Sequence, residues 1–251
     1  MNKEKPKQIW LERVTVTVIF ISLWQLLTLF FPPVVVPGVD LVAAKMAQIL
    51  TDAEGWAAIL LTARRLALGL FLGIGFGAVF GILFGTFPRV ERIFSPLIRI
   101  LQTVPPVCWV VLALVWFGFN DKPCIFIVIT STLPTVTINL AQGVRQIDRK
   151  LIEMAKMYQF SNWQTFRHVI IPSIMPYIYS ALDIVISGGW KIAVMAEVLT
   201  TSTGIGGAIN TARLNIEPET LIAWAVMLVL LCYLTQWLLM KVFLHRRREL
   251  I

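Results

Sequence analysis

Five stretches of the chain, residues 14–31, 66–87, 100–119, 123–140 and 221–240, contain no Asp, Glu, Lys or Arg, and a sixth, 169–199, contains only Asp183, Lys191 and Glu197. A helix needs about 18–20 apolar residues to cross 30 Å of hydrocarbon, and each stretch reaches that length. With their flanks they predict membrane spans over 14–31, 57–87, 100–119, 123–142, 169–199 and 221–243. No polar stretch is long enough to build a separate core, so residues 1–251 read as one transmembrane domain with a loop at 143–168. The first span is followed by Pro32 and Pro33 rather than a small-residue cleavage site, so it is expected to stay in the mature protein.

Within this frame, residues 32–56 predict a short helix along the membrane surface, with Val42, Met46, Ile49 and Leu50 at amphipathic spacing. The second span places Gly69, Gly73, Gly77, Gly81 and Gly85 four apart. In lipid that spacing makes a smooth stripe that lets a second helix approach closely, so this span belongs inside the bundle. Pro105, Pro106, Pro134, Pro172 and Pro176 lie at membrane depth and are expected to break their helices. Lipid permits such breaks only beside protein or water.

Composition supports the same class: 57% of residues are hydrophobic and 14% charged, against about 25% charged in a soluble protein. The fold class is all-α, integral membrane. Cys108, Cys124 and Cys232 each stand alone in an apolar run and read as small buried hydrophobes, with no disulfide or metal set. The net charge of +8 would fit nucleic acid if it were clustered, but its distribution says otherwise. With the N-terminus inside, sixteen of the 22 Lys and Arg fall on the cytoplasmic side: Lys3, Lys5, Lys7, Arg13, Arg89, Arg92, Arg99, Arg145, Arg149, Lys150, Lys156, Arg167, Lys241, Arg246, Arg247 and Arg248. Lys45, Arg64, Arg65, Lys122 and Arg213 fall on the other side, and Lys191 lies within a span. The positive-inside rule then puts both termini in the cytoplasm. Arg64 and Arg65 depart from the pattern, and Asp52 and Glu54 just upstream are the expected neutralising partners.

The longest cytoplasmic connection reads as two short helices joined by a turn. Leu151, Ile152, Ala155 and Tyr158 recur at helical spacing in the first; Trp163, Phe166, Val169 and Ile170 form the apolar face of the second. Ser161 with Gln164 three residues on predicts a capping box. An apolar-faced helix pair with no cytoplasmic domain to cover it is either a docking element or a segment lying back on its own bundle or the lipid.

This segment resembles the cytoplasmic signature of ABC importer permeases: a Glu-Ala-Ala start, a Gly four residues after the second Ala, and an Ile-x-Leu-Pro ending. Glu153, Ala155, Val169, Ile171 and Pro172 stand at the matching offsets, while Met154 replaces the first Ala and Gln159 the Gly. A left-handed residue suits Gly and strains Gln, so the turn is expected to be shaped differently here. Four further blocks, VVPGVDLVAAKMAQIL, TARRLALGLFLGIGFGAVFGILFG, SPLIRILQTVPPVCWVVLALVWFGF and GGWKIAVMAEVL, resemble the subfamily importing nitrate, taurine, alkanesulfonates, bicarbonate or thiamine precursors.

The resemblance implies the type I importer fold, a homodimer of permeases, two separate ABC ATPase subunits, an extracytoplasmic solute-binding protein and a location in the cytoplasmic (inner) membrane. It assigns ATPase coupling to Glu153, Ala155, Met157, Tyr158, Gln159 and Phe160. The chain has no G-x-x-x-x-G-K-[ST] loop, so ATP is expected to be bound by the partners and no cofactor by this chain.

Charged groups at membrane depth are costly and mark functional positions. Lys191, beside Trp190 and the Gly188-Gly189 pair, either helps hold an anionic substrate or neutralises Asp183 or Glu197. Glu197, at a position where the resembling family also carries a Glu, is a candidate for the substrate path, for a gate or for a structural role. Trp109 and Trp116 either line the path or anchor at the interface. A membrane-embedded enzyme would need a converging catalytic set, yet His168 and His245 lie at cytoplasmic edges and no span carries a carboxylate cluster. A passive channel or scaffold would not need the exposed helix pair.

Overall fold

The computed structural model describes the backbone of residues 6–249 and the side chains of 15–19, 21–239 and 241. Lys3 and Lys5 of the expected cytoplasmic basic set lie outside the described residues, as do the side chains of Lys7, Arg13, Arg246, Arg247 and Arg248. Every regular element described is helical. The order begins with α1 (Pro6–Leu27), α2 (Val39–Thr51), α3 (Ala53–Thr86), α4 (Pro88–Thr103), α5 (Pro106–Phe117) and α6 (Asp121–Arg145). It continues with α7 (Arg149–Met157), α8 (Asn162–Thr165), a π-helical turn (Phe166–Ile170), α9 (Ile171–Thr200), α10 (Gly204–Leu214) and α11 (Pro218–Glu249).

Among the described residues, four helices are long and apolar enough to cross a membrane: Ala53–Thr86, Asp121–Arg145, Asn162–Thr200 and Pro218–Leu239. They contain the expected spans at 57–87, 123–142, 169–199 and 221–243, apart from residues at the ends. The expected span at 100–119 is different. Here α4 and α5 meet at a bend of 97°, so the segment is a bent pair rather than one straight rod. Val104 is extended because the ring of Pro105 excludes the helical region for the residue before it. Pro106 then starts α5 at a position where its missing N–H costs nothing. Pro134 and Pro176, also expected to break their helices, lie inside α6 and α9 without ending them. At Pro172 the helix yields by one residue. The amide of Ile171 bonds Phe166 O, five residues back, and the π turn separates α8 from α9.

The bundle centre is the α3–α6 pair. The expected glycine stripe faces α6 over its whole length: a Cβ built on Gly69, Gly73, Gly77, Gly81 or Gly85 would lie 2.6, 2.8, 2.8, 2.6 and 2.5 Å from the Cβ of Val128, Thr132, Val136, Leu140 and Val144. The two ladders advance four residues at a time in step, one helix supplying gaps and the other supplying side chains. The opposite face of α3, with Phe71, Phe76, Val79 and Ile82, is exposed. The same residues of α6, Val136 and Leu140, also cluster with Ala181 and Val185 of α9.

Chain direction defines two ends. The Phe87 turn and the 146–161 connection lie at one end; the turns at 118–120, 201–203 and 215–217 lie at the other, with α2 and α10. In α2, Val42 and Ile49 are buried as expected, but Leu50 points outward.

Candidate functional site

At the loop end, α7 starts at Asp148, whose Oδ1 accepts from Lys150 N at 2.9 Å. It ends in a tight reversal: Gln159 N donates to Lys156 O at 3.0 Å and Phe160 N to Ala155 O at 2.9 Å. That bond pair is a Schellman cap, which requires a left-handed residue between. Gln159 supplies it at φ 55. The turn therefore keeps the geometry that a Gly would take, contrary to the expected reshaping, because its two hydrogen bonds outweigh the strain of one side chain. The predicted capping box is formed, with Gln164 N donating to Ser161 Oγ at 3.2 Å and Ser161 N to Gln164 Oε1 at 2.8 Å.

The loop residues separate by exposure. Ala155 is buried against the subunit, whereas Glu153 and Gln159 face outward and Met157 and Tyr158 are 85% and 74% exposed. Phe160, Trp163 and Phe166 are also exposed. The helix pair thus anchors through Ala155 and Val169 and leaves an apolar outer surface uncovered.

At membrane depth, α6 and α9 enclose a cavity of about 130 Å³ lined by Val128, Ser131, Thr132, Thr135, Ile184 and Gly188, among others. Ser180, Asp183 and Lys191 are exposed on α9, and a Cβ on Gly188 would meet nothing within 4 Å. Lys191 forms no ion pair with Asp183 or Glu197 among the described residues. Eight residues of helix, about 12 Å, separate it from Asp183. The neutralisation role weighed for Lys191 is therefore not what this geometry provides.

Glu197 has another partner. Its carboxylate is fully buried (0% exposed) and Arg65 is 1% exposed, with Arg65 Nη1 donating to Glu197 Oε1 at 2.7 Å. The same Nη1 donates to Thr203 O at 3.0 Å, Nη2 to Thr203 Oγ1 at 2.8 Å and Nε to Asp121 Oδ1 at 3.0 Å. Nη2 also bonds Asp121 Oδ1, so all five guanidinium donors are used. Glu197 Oε2 accepts from Thr62 Oγ1 at 2.8 Å and from Gly206 N at 3.0 Å. Thr62 Oγ1 in turn accepts from Ile205 N at 2.8 Å. Arg64 reaches the other oxygen of Asp121 at 2.6 Å. The neutralising partners of Arg64 and Arg65 are thus Asp121 and Glu197, and Asp52 and Glu54 form no ion pair with them. About 21 residues of helix, some 30 Å, separate Arg65 from the end of α3. The knot and the loop therefore stand at opposite faces of a bilayer-thick bundle.

Trp190 is buried, its Nε1 donating to Thr235 Oγ1 at 3.1 Å, so it packs α9 on α11. Trp109 is half-buried edge-on to Phe126, and its Nε1 has no partner among the described residues. Of the residues considered for a path, Lys191 is exposed to the open face, while Trp190 and Glu197 are held inside the subunit.

The family described as the binding-protein-dependent transport system inner membrane component matches residues 73–248. The chain belongs to this family. A permease protein of Escherichia coli (strain K12) named for aliphatic sulfonates transport is 30% identical over 231 residues, 90% of this chain and 88% of its own. The taurine transport system permease protein of the same organism is 26% identical over 92% of this chain and 86% of its own. The nitrate import permease protein of Synechococcus elongatus is 27% identical over 75% and 71%. Among solved structures, an inward-facing MetNI methionine ABC transporter covers 82% of this chain and 98% of its own chain, with a TM-score of 0.62 at 18% identity. An amino acid ABC transporter solved with histidines covers 75% and 92% at a TM-score of 0.60 and 18% identity. These two establish the fold, the type I importer arrangement.

The protein is thus a multi-pass permease component of the inner membrane, with a transport function. Arg65 and Asp121 went unrecognised as a site from the sequence. A signal was present: Arg65 stands one four-residue step before Gly69, on the buried ladder, whereas Arg64 is rotated about 100° away.

Proposed function

We propose that this permease works as one of two identical subunits of an ABC importer for a small anion. The α6–α9 face lines the path, and the 143–168 loop couples to separate ATPase subunits in the cytoplasm. Both termini are cytoplasmic, and a solute-binding protein delivers cargo at the end carrying the Arg65–Glu197 knot. The observation that carries the anion reading is Lys191. Among the described residues it is a cation without an ion-pair partner, exposed at membrane depth three residues along α9 from Gly188, which lines the cavity with Ser131, Thr132 and Thr135. An unpaired charge facing lipid is unfavourable, so the face requires a covering subunit or a water-filled path. A second copy about a twofold axis would bring two Lys191 ammonium groups to the same depth. The relatives' names, covering sulfonates, taurine, nitrate and bicarbonate, agree with an anionic group on the cargo. Met157 and Tyr158 offer the ATPases an apolar contact, and ATP hydrolysis belongs to those partners.

The test is ATP-driven uptake of radiolabelled sulfonate, taurine, nitrate and bicarbonate into proteoliposomes holding the permease, its ATPase and its binding protein. Lys191→Met keeps the side-chain length and removes the charge. It is expected to lower uptake at least ten-fold, with the complex assembled and basal ATP hydrolysis unchanged. Uptake by Lys191→Met at the wild-type rate sinks the anion assignment, and flux without ATP sinks the importer reading.

A further inference from the structure

The Arg65–Glu197 knot contains bonds that charge balance does not require. Arg65 donates to the carbonyl and the hydroxyl of Thr203, both uncharged. Glu197 accepts from the Gly206 amide and Thr62 from the Ile205 amide. All four bonds end on the turn into α10 or on its first residues. The turn is built for this fit. Gly204 takes φ +84, and a Cβ on Gly204 or Gly206 would lie 2.6 Å from Glu197 Oε1 or 2.4 Å from Glu197 Cβ.

The segment held in this way shapes the outer mouth. One cleft of about 610 Å³ is lined by Glu54, Gly204, Thr211 and Trp224; a second of about 400 Å³ is lined by Asn120, Asp121, Thr201 and Asn210. α10 and its leading turn are walls of both. Glu197 is also six residues beyond Lys191 on α9, so the path cation and the mouth share one helix.

We propose that Arg65, Glu197 and Thr62 are positioning residues for transport. They fix the first turn of α10 to α3, α6 and α9, so that the outer mouth of each subunit moves as one rigid leaf, and the outer opening forms between subunits. Separating Arg65 from Glu197 would leave a buried charge unpaired, which makes this pair the least divisible part of the outer end. The exposed Arg64–Asp121 bond can break and re-form in water without that penalty. This inference rests on the permease reading above.

Amide exchange in the wild-type complex tests it directly. The Ile205 and Gly206 amides are expected to exchange slowly, and within two-fold of each other's rates, in both the nucleotide-free complex and one trapped with ATP by a hydrolysis-deficient ATPase. Exchange more than ten-fold faster in either state would show that the leaf comes apart and would overturn the proposal. A paired variant, Arg65→Met with Glu197→Gln, removes both charges together and leaves Asp121 with Arg64. It is expected to assemble, hydrolyse ATP at the basal rate and lose at least ten-fold in uptake. A short thiol cross-link between Asp121→Cys and Thr203→Cys in that background should recover at least half of the uptake. Wild-type uptake by the uncross-linked pair would reduce the knot to charge balance and refute positioning. Should the pair fail to assemble, exchange in the wild type still decides. Absence of ATP-driven uptake in the wild-type complex would instead sink the permease reading itself.

Discussion

Gln159→Gly is the sharpest test of the coupling turn. Gln159 sits at φ 55, where a side chain crowds the backbone at a cost of about 1–2 kcal/mol. Gly removes that cost but gives up about 0.5–1 kcal/mol of backbone entropy. Gln159 is exposed and the cap is held by backbone hydrogen bonds alone, so the substitution should stabilise the turn by about 0.5–1 kcal/mol. The reporter is the Phe160 amide, which is bonded to Ala155 O at 2.9 Å and is released when the cap opens. Its exchange should slow by about two- to five-fold, the Boltzmann equivalent of that energy. Gln159→Val should shift it the other way, since a β-branched residue tolerates this region least. Coupled uptake should stay at or above the wild-type rate in the Gly variant. Unchanged or faster Phe160 exchange in Gln159→Gly would mean that residue 159 is not left-handed in the assembled transporter.

Three further outcomes follow from the same geometry. Gly77→Leu should abolish bundle assembly, because even a Cβ there would lie 2.8 Å from Val136 Cβ, whereas Gly75→Leu, where a Cβ meets nothing within 4 Å, should leave the yield of folded permease unchanged; equal yields would refute the α3–α6 ladder. Met157→Glu and Glu153→Lys alter exposed positions and should release or uncouple the ATPase without lowering the melting temperature of the isolated permease; Ala155 is buried, so changes there mix docking with packing. A thiol reagent that cannot cross the membrane should label a cysteine placed at Glu219 from outside and one at Arg247 only after permeabilisation; labelling of both from one side would overturn the orientation.

What could be read from the chain alone follows the range of the interactions involved. The capping box at Ser161 and Gln164 spans three residues, and its donors and acceptors are contiguous in sequence. The glycine stripe is also local, since five residues at a four-residue period define a helix face before any neighbour is known. Pro105 and Pro106 marked a break but not its size; whether two half-helices stay collinear or bend by 97° depends on what α4 and α5 pack against. The Arg65–Glu197 pair joins positions 132 residues apart. Proximity in sequence pointed to Asp52 and Glu54, and tertiary structure chose otherwise.

The missed pair was nevertheless implicit in the stripe. Extending the four-residue ladder one step before Gly69 reaches Arg65, which must therefore face the neighbouring helices and not water. A buried guanidinium requires carboxylates or carbonyls on those helices. Only Asp121 stands at the matching end of α6, and only Glu197 at the matching end of α9. The ladder thus continues as packing from Gly85 to Gly69 and finishes as an ion pair at Arg65. A contact this continuous leaves α3 and α6 little freedom to slide, because a shift by one residue would drive each Cβ of α6 out of its glycine gap and pull Arg65 from Asp121 together. Motion that opens a path is then expected not between these helices but at the uncovered face carrying Lys191, where a second subunit would pack.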